Sequence, residues 1–171
     1  GGARLQTAGV LAVLADVRGE LPRRPLGRHP SLPHPRRLLD GREAEDARAY
    51  VKERGLSAES LEAFGIGYAP GYPDFLLRRL AQDLGPDTLI EAGLATKGED
   101  GVVRDRFRAR LTFPVQDLQG RYLGFGARVL PSDARAAEQA KYLNTAETPI
   151  YKKGEILYNL QKARQAVARS G

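Results

Sequence analysis

VVRDRFRARLTFPVQDLQGRYLGFGARVL, from Val102 to Leu130, is where the chain changes period. Apolar residues before it recur every three or four positions. Within it they alternate with polar ones, and Asp117-Leu118-Gln119-Gly120 breaks the alternation as a turn. The stretch predicts a β-meander. In an extended strand, Arg104, Arg106, Arg108 and Arg110 leave one face, with Phe107, Ala109, Leu111 and Phe113 on the other. That spacing gives a ladder of guanidinium groups about 7 Å apart, which suits either an anionic partner or a solvated face neutralised by neighbouring carboxylates. In the second strand Tyr122, Gly124, Gly126 and Arg128 share a face. Glycines inside a strand mark either a close approach of ligand or backbone, or a bulge or tight crossing within the protein.

Upstream the pattern is helical. Ala44, Ala47, Tyr50 and Val51 predict a helix that stops at Gly55, and Ser57 caps a second one through Leu61 and Phe64, closed by Gly65. A third helix is expected from about Asp74, with Phe75, Leu76, Leu80 and Leu84 on one face and Gly85 as its stop. PDTLIEAGL adds a fourth. Helices followed by an antiparallel meander make an α+β fold.

At the N-terminal end, apolar positions from Leu5 to Val17 suit a short helix, and residues 21–35 form a Pro- and Arg-rich linker or extended arm. The expected division is therefore 1–40, a helix plus linker, and 41–171, a folded domain. Downstream of the meander a polar stretch leads to KYLNTAETPIYKKG. This span gathers Lys141, Tyr142, Asn144, Thr145, Thr148, Lys152 and Lys153, side chains that stack on bases, bond base edges or pair with phosphates, and that equally suit an ordinary polar loop. A closing helix follows, with Ile156, Leu157, Leu160, Ala163 and Val167 on one face.

Composition narrows the chemistry. The 171 residues carry a formal charge of +6, which favours an anionic partner weakly, and there is no cysteine, so disulfides, Cys-ligated zinc and iron–sulfur clusters are excluded within this chain. Two histidines are too few for a histidine-rich metal site. The apolar run Ala8–Ala15 is too short to span a bilayer, so no membrane partner is expected and the location is taken as cytoplasmic. With no methionine and two leading glycines, the chain is expected to be a piece of a longer protein. It contains no nucleophile–base constellation or Walker-type phosphate loop.

YVKERGLSAESLEAFGIGYAPG, DRFRARLTFPVQDLQGRYLGFGARVL and KYLNTAETPIYKKGEILYNLQKA, in this order, resemble the N-terminal subdomain of the catalytic core of bacterial DnaG-type primases, over roughly residues 44 to 165. The resemblance implies a DNA-directed RNA polymerase that makes short RNA primers for replication at the fork, in the nucleoid. It implies a basic groove for the single-stranded DNA template and the RNA–DNA hybrid, with Arg106, Arg108 and Arg128 as groove arginines. Lys141, Tyr142, Asn144 and Lys153 match the family's template- and nucleotide-contacting signature, and Arg54 is a further candidate. The resemblance also implies ribonucleotides and a replicative helicase as partners of the intact enzyme. Its Mg2+ or Mn2+ would be held by a toprim part beyond Gly171, and its Zn2+ by a zinc-ribbon module upstream; no catalytic or metal-binding residue is expected in this chain, which alone should be inactive. Ala127 in GFGAR stands where the family has glycine, and Ala146 where it commonly has proline. The alternative is a stand-alone, sequence-tolerant module for single-stranded DNA or RNA; a purely structural or docking domain would instead pair the Arg ladder with carboxylates.

Overall fold

The computed structural model describes residues 44–119 and 121–155. The expected helix near the N-terminus, the Pro/Arg-rich arm and the closing helix from Ile156 lie outside the described residues.

Two short helices open the described chain, α1 (Glu45–Glu53) and α2 (Ala58–Ala63). Glu45 and Asp46 in the first turn of α1 and Lys52 in its last oppose the helix dipole, and Gly55 follows its end. Ser57 caps α2 as expected, its Oγ accepting from the Ser60 amide at 3.1 Å. After β1 (Gly67–Ala69) come α3 (Phe75–Leu84) and α4 (Pro86–Glu91), separated only by Gly85, with Pro86 pre-set for the first turn. The remaining strands are β2 (Ala95–Lys97), β3 (Val103–Asp105), β4 (Arg110–Gln116), β5 (Tyr122–Val129) and β6 (Tyr142–Asn144).

The strands form two sheets, an antiparallel four-stranded one in the order β1-β4-β5-β6 and a β2–β3 hairpin. Helices cover both faces of the larger sheet. Tyr68, Leu111 and Arg128 lie opposite one another across β1, β4 and β5, so they share a face. On it α1 buries Ala47, Tyr50 and Val51 with Ile66, Tyr68, Leu111 and Leu130. The other face carries Ala69, Phe125 and Ala127, packed with Leu77 and Leu80 of α3, Leu89 of α4, and Leu94. Ala127 therefore fills core space that a glycine would leave empty.

The expected Arg ladder does not exist as one strand. β3 ends at Asp105 and β4 starts at Arg110, and between them Ala109 takes a left-handed φ of 49°. The alternating run is divided between two sheets because β3 pairs with β2, while β4 pairs with β1 and β5. Asp105 stands at the division. Its carboxylate accepts from the amides of Leu76 at 2.6 Å and Leu77 at 3.1 Å, capping α3 from a distant strand.

Burial pushes the Asp105 carboxyl up to about 6, with Asp74 adding to the rise; the two amides and Arg108 oppose it. The folded state thus holds this proton more tightly than the unfolded one, whose Asp titrates near 4. Asp105 contributes stability that is complete below pH ~4 and is lost as pH rises through about 6. We expect Asp105→Asn to abolish this component, which is on the order of 2 kcal/mol. Urea midpoints from pH 4 to 7 for both proteins check it: the difference between them should change across that window, and a constant difference would exclude the effect.

Candidate nucleic-acid interface

The face that α1 covers over β1 and β4 continues onto β5 and β6, where Gly126 opposes Asn144 and Arg128 opposes Tyr142. There it opens into a cleft of about 370 Å3. Phe113, Val115 and Gly126 line it together with Tyr142, Asn144 and Lys153. An apolar base with a polar, basic lip suits a molecule that is planar and anionic by parts.

Beside the cleft, cations and rings alternate. The Arg54 guanidinium lies 5.2 Å from the centroid of the Tyr50 ring, and Arg128 lies 5.3 Å from the same ring. Arg128 also lies 5.5 Å from the Tyr142 ring, which Lys141 Nζ approaches at 6.0 Å. Arg128 Nη1 donates to the Tyr142 hydroxyl at 3.1 Å. Each cation–ring contact contributes roughly 0.5–1 kcal/mol, which offsets the mutual repulsion of the three charges. Among the described residues none of the three makes an ion pair with a carboxylate.

Of the expected site residues, the structure brings together Arg54, Arg128, Lys141 and Tyr142 in this row, and Tyr142, Asn144 and Lys153 around the cleft. Arg106 contacts the backbone of β6. Its Nε donates to the Asn144 carbonyl at 2.8 Å, and burial lowers its pKa, so it fixes β6 in place. Arg108 is half-buried beside Asp105 and Arg110 and joins neither group through any contact among the described residues. Arg104 pairs with Asp100 at 2.6 Å, and that pairing, with the Val102 amide, holds the Asp100 carboxyl at about 2. Arg110, 4% exposed, donates to the Ala140 carbonyl at 2.9 Å and to Gln139 Oε1 at 3.0 Å.

The glycine shelf expected on β5 is filled by Thr145 at Gly124, while Gly126 lines the cleft. A Cβ at Gly124 would stand 2.8 Å from Thr145 Oγ1 and 2.9 Å from its Cβ, and one at Gly126 would stand 3.3 Å from Asn144 Oδ1. Thr145 uses that room to accept from the Phe125 amide at 2.8 Å. Thr148 likewise turns inward, accepting from the Tyr151 amide at 3.0 Å. Tyr122 leaves the expected face as well, since the register shifts between Val115 and Gln116 and its ring packs against the Phe125 and Ala127 side. Sequence patterning missed Tyr50, which it placed only in the core. Its available signal was Arg54 four residues on, one helical turn away on the same face. The described residues contain no group of three or more His, Asp or Glu side chains that could hold a metal. Nor does any described helix have the length and apolarity to cross a membrane.

Fold and site together define an α+β domain with one basic, aromatic-lined face. Residues 34–164 match the family model for the N-terminal domain of the DNA primase catalytic core. The DNA primase of Deinococcus radiodurans is 50% identical over 121 residues, covering 69% of this chain and 20% of that protein. A DnaG primase catalytic domain solved bound to ssDNA superposes with a TM-score of 0.70 at 34% identity, covering 95% of this chain and 46% of that one. The RNA polymerase domain of Mycobacterium tuberculosis primase DnaG, solved with a double-stranded DNA carrying a 6-nucleotide overhang, gives 0.71 at 32% identity, covering 98% and 46%. The chain belongs to the DNA primase catalytic core N-terminal domain family. It spans about 20% of the length of the curated relatives it matches.

Proposed function

We propose that this chain is the template-guiding part of a DNA primase, a nucleotidyltransferase that synthesises short RNA primers on single-stranded DNA. The observation that carries this reading is the row Arg54, Tyr50, Arg128, Tyr142 and Lys141, three cations with no carboxylate partner among the described residues. Rings and guanidinium groups at this spacing fit a backbone of phosphates with unstacked bases. The similar structures solved with ssDNA and with an overhanging duplex support the same ligand. Asn144 and Lys153, across the cleft, are placed to meet the strand or an incoming ribonucleotide, while Arg106 serves the site by holding Asn144. The domain from residue 41 onward would work beside further parts of the enzyme, among them a toprim part supplying Mg2+ or Mn2+, a zinc module and a replicative helicase at the fork. A relative from Aquifex aeolicus was solved with zinc-binding and RNA polymerase domains together.

Because most contacts would go to phosphates, affinity should fall steeply with salt and show little base preference. Fluorescence anisotropy of a labelled single-stranded oligonucleotide across a salt series tests this. Against the 171-residue chain, the double variant Arg54→Ala, Arg128→Ala should bind about tenfold more weakly at low salt. Its log–log salt slope should be shallower by about 0.7 for each phosphate released. Superimposable curves would remove both arginines from the interface.

A further inference from the structure

We propose that Tyr50 is a positioning residue of the interface, holding Arg54 and Arg128 in place through the π-face of its ring. The inference rests on the DNA-binding reading of those two arginines. Tyr50 is 9% exposed and anchored in the core beneath α1, among Ala47, Val51 and Leu111. From that anchored position the ring meets two guanidinium groups, at 5.2 and 5.3 Å. Its hydroxyl makes no hydrogen bond among the described residues, so the ring and not the oxygen does the holding.

Arg128 has little else to fix it. Its Nε is buried without a hydrogen-bond partner, and its one bond to a side chain runs to Tyr142, which is 61% exposed. Arg54 is exposed at the C-terminal end of α1, one turn from Tyr50. Tyr50 is thus the buried ring that two guanidinium side chains from different elements share. An arginine pre-set on an aromatic ring loses less rotamer freedom when it meets a phosphate, so the ring's electrostatics should appear in DNA affinity.

The test uses the 171-residue chain with Tyr50→Phe and with 3,4,5-trifluorophenylalanine at position 50, which keeps the ring's shape and drains its negative face. Tyr50→Phe should bind single-stranded DNA as the parent does. The trifluoro variant should bind about fivefold more weakly at low salt with a Tm lower by only a few degrees, so that it stays folded in the assay, and should cause no further loss in the Arg54→Ala, Arg128→Ala background. Equal affinity of the Phe and trifluoro variants, with the double arginine variant weakened, would overturn the role of Tyr50 and leave the interface standing. Full affinity in the double arginine variant would overturn both.

Discussion

Gly93→Ala should lower the unfolding free energy by about 3 kcal/mol, read as a shift in the urea midpoint. Two costs add. Gly93 ends α4 at φ +67°, a left-handed conformation that disfavours any Cβ by about 1 kcal/mol. The new Cβ would also stand 2.6 Å from Thr145 Cγ2 and 3.1 Å from the Ala146 amide nitrogen. A threonine is stiff and the other neighbour is backbone, so neither yields cheaply. Adding Thr145→Ser should restore about half of the loss, because serine removes the methyl and retains the hydroxyl that bonds to Phe125. If Thr145→Ser restores nothing, the left-handed φ and the contacts with the Ala146 backbone account for the cost. Thr145 sits between Gly93 and Gly124, directly after the strand that carries Tyr142 and Asn144, so β6 is held by two positions that tolerate no side chain.

Arg110→Ala should destabilise by about 2–3 kcal/mol, whereas Arg104→Ala should change stability by less than about 0.5 kcal/mol. Both arginines occupy the same sequence pattern. Arg110 is buried, and its removal would leave the Ala140 carbonyl and Gln139 Oε1 without their donor, along with a gap where its aliphatic stem packed. Arg104, on β3, forms one exposed pair with Asp100 of the preceding turn. Arg110→Lys should recover little, since an ammonium cannot reproduce the two-pronged geometry. Chemical denaturation of the three variants separates these outcomes; equal effects at 104 and 110 would mean that the buried contacts of Arg110 carry no weight.

The contrast shows what patterning conveys. Helix ends, the Ser57 cap and the β4–β5 hairpin depend on residues close in the chain, and all were legible: Gly55, Gly65 and the Asp117 turn carry local signals. The division of the Arg104–Arg110 run was not, because it depends on which sheet each half joins and on Asp105 reaching amides 28 and 29 residues away. Alternation gives the parity of side chains only while a strand continues. At the interface, Arg128 and Tyr142 were recognisable from the family motifs, yet the contact of Arg128 with both the Tyr50 and the Tyr142 ring joins three separate elements, and no spacing encodes it. Thr145 and Thr148 looked like ligand contacts because polar loop residues are chosen for turns and for binding alike; burial decides which.

The cap on α3 also bears on the order of assembly. A helix usually satisfies its first amides from the residue just before it, so it can form early and fray alone. Here two of those amides are satisfied by Asp105, the last residue of β3, which pairs with β2. Protection of the Leu76 and Leu77 amides against hydrogen exchange should therefore follow the opening of the β2–β3 hairpin rather than fraying of the helix. The helix and the hairpin form one cooperative unit although the chain between them passes through another helix.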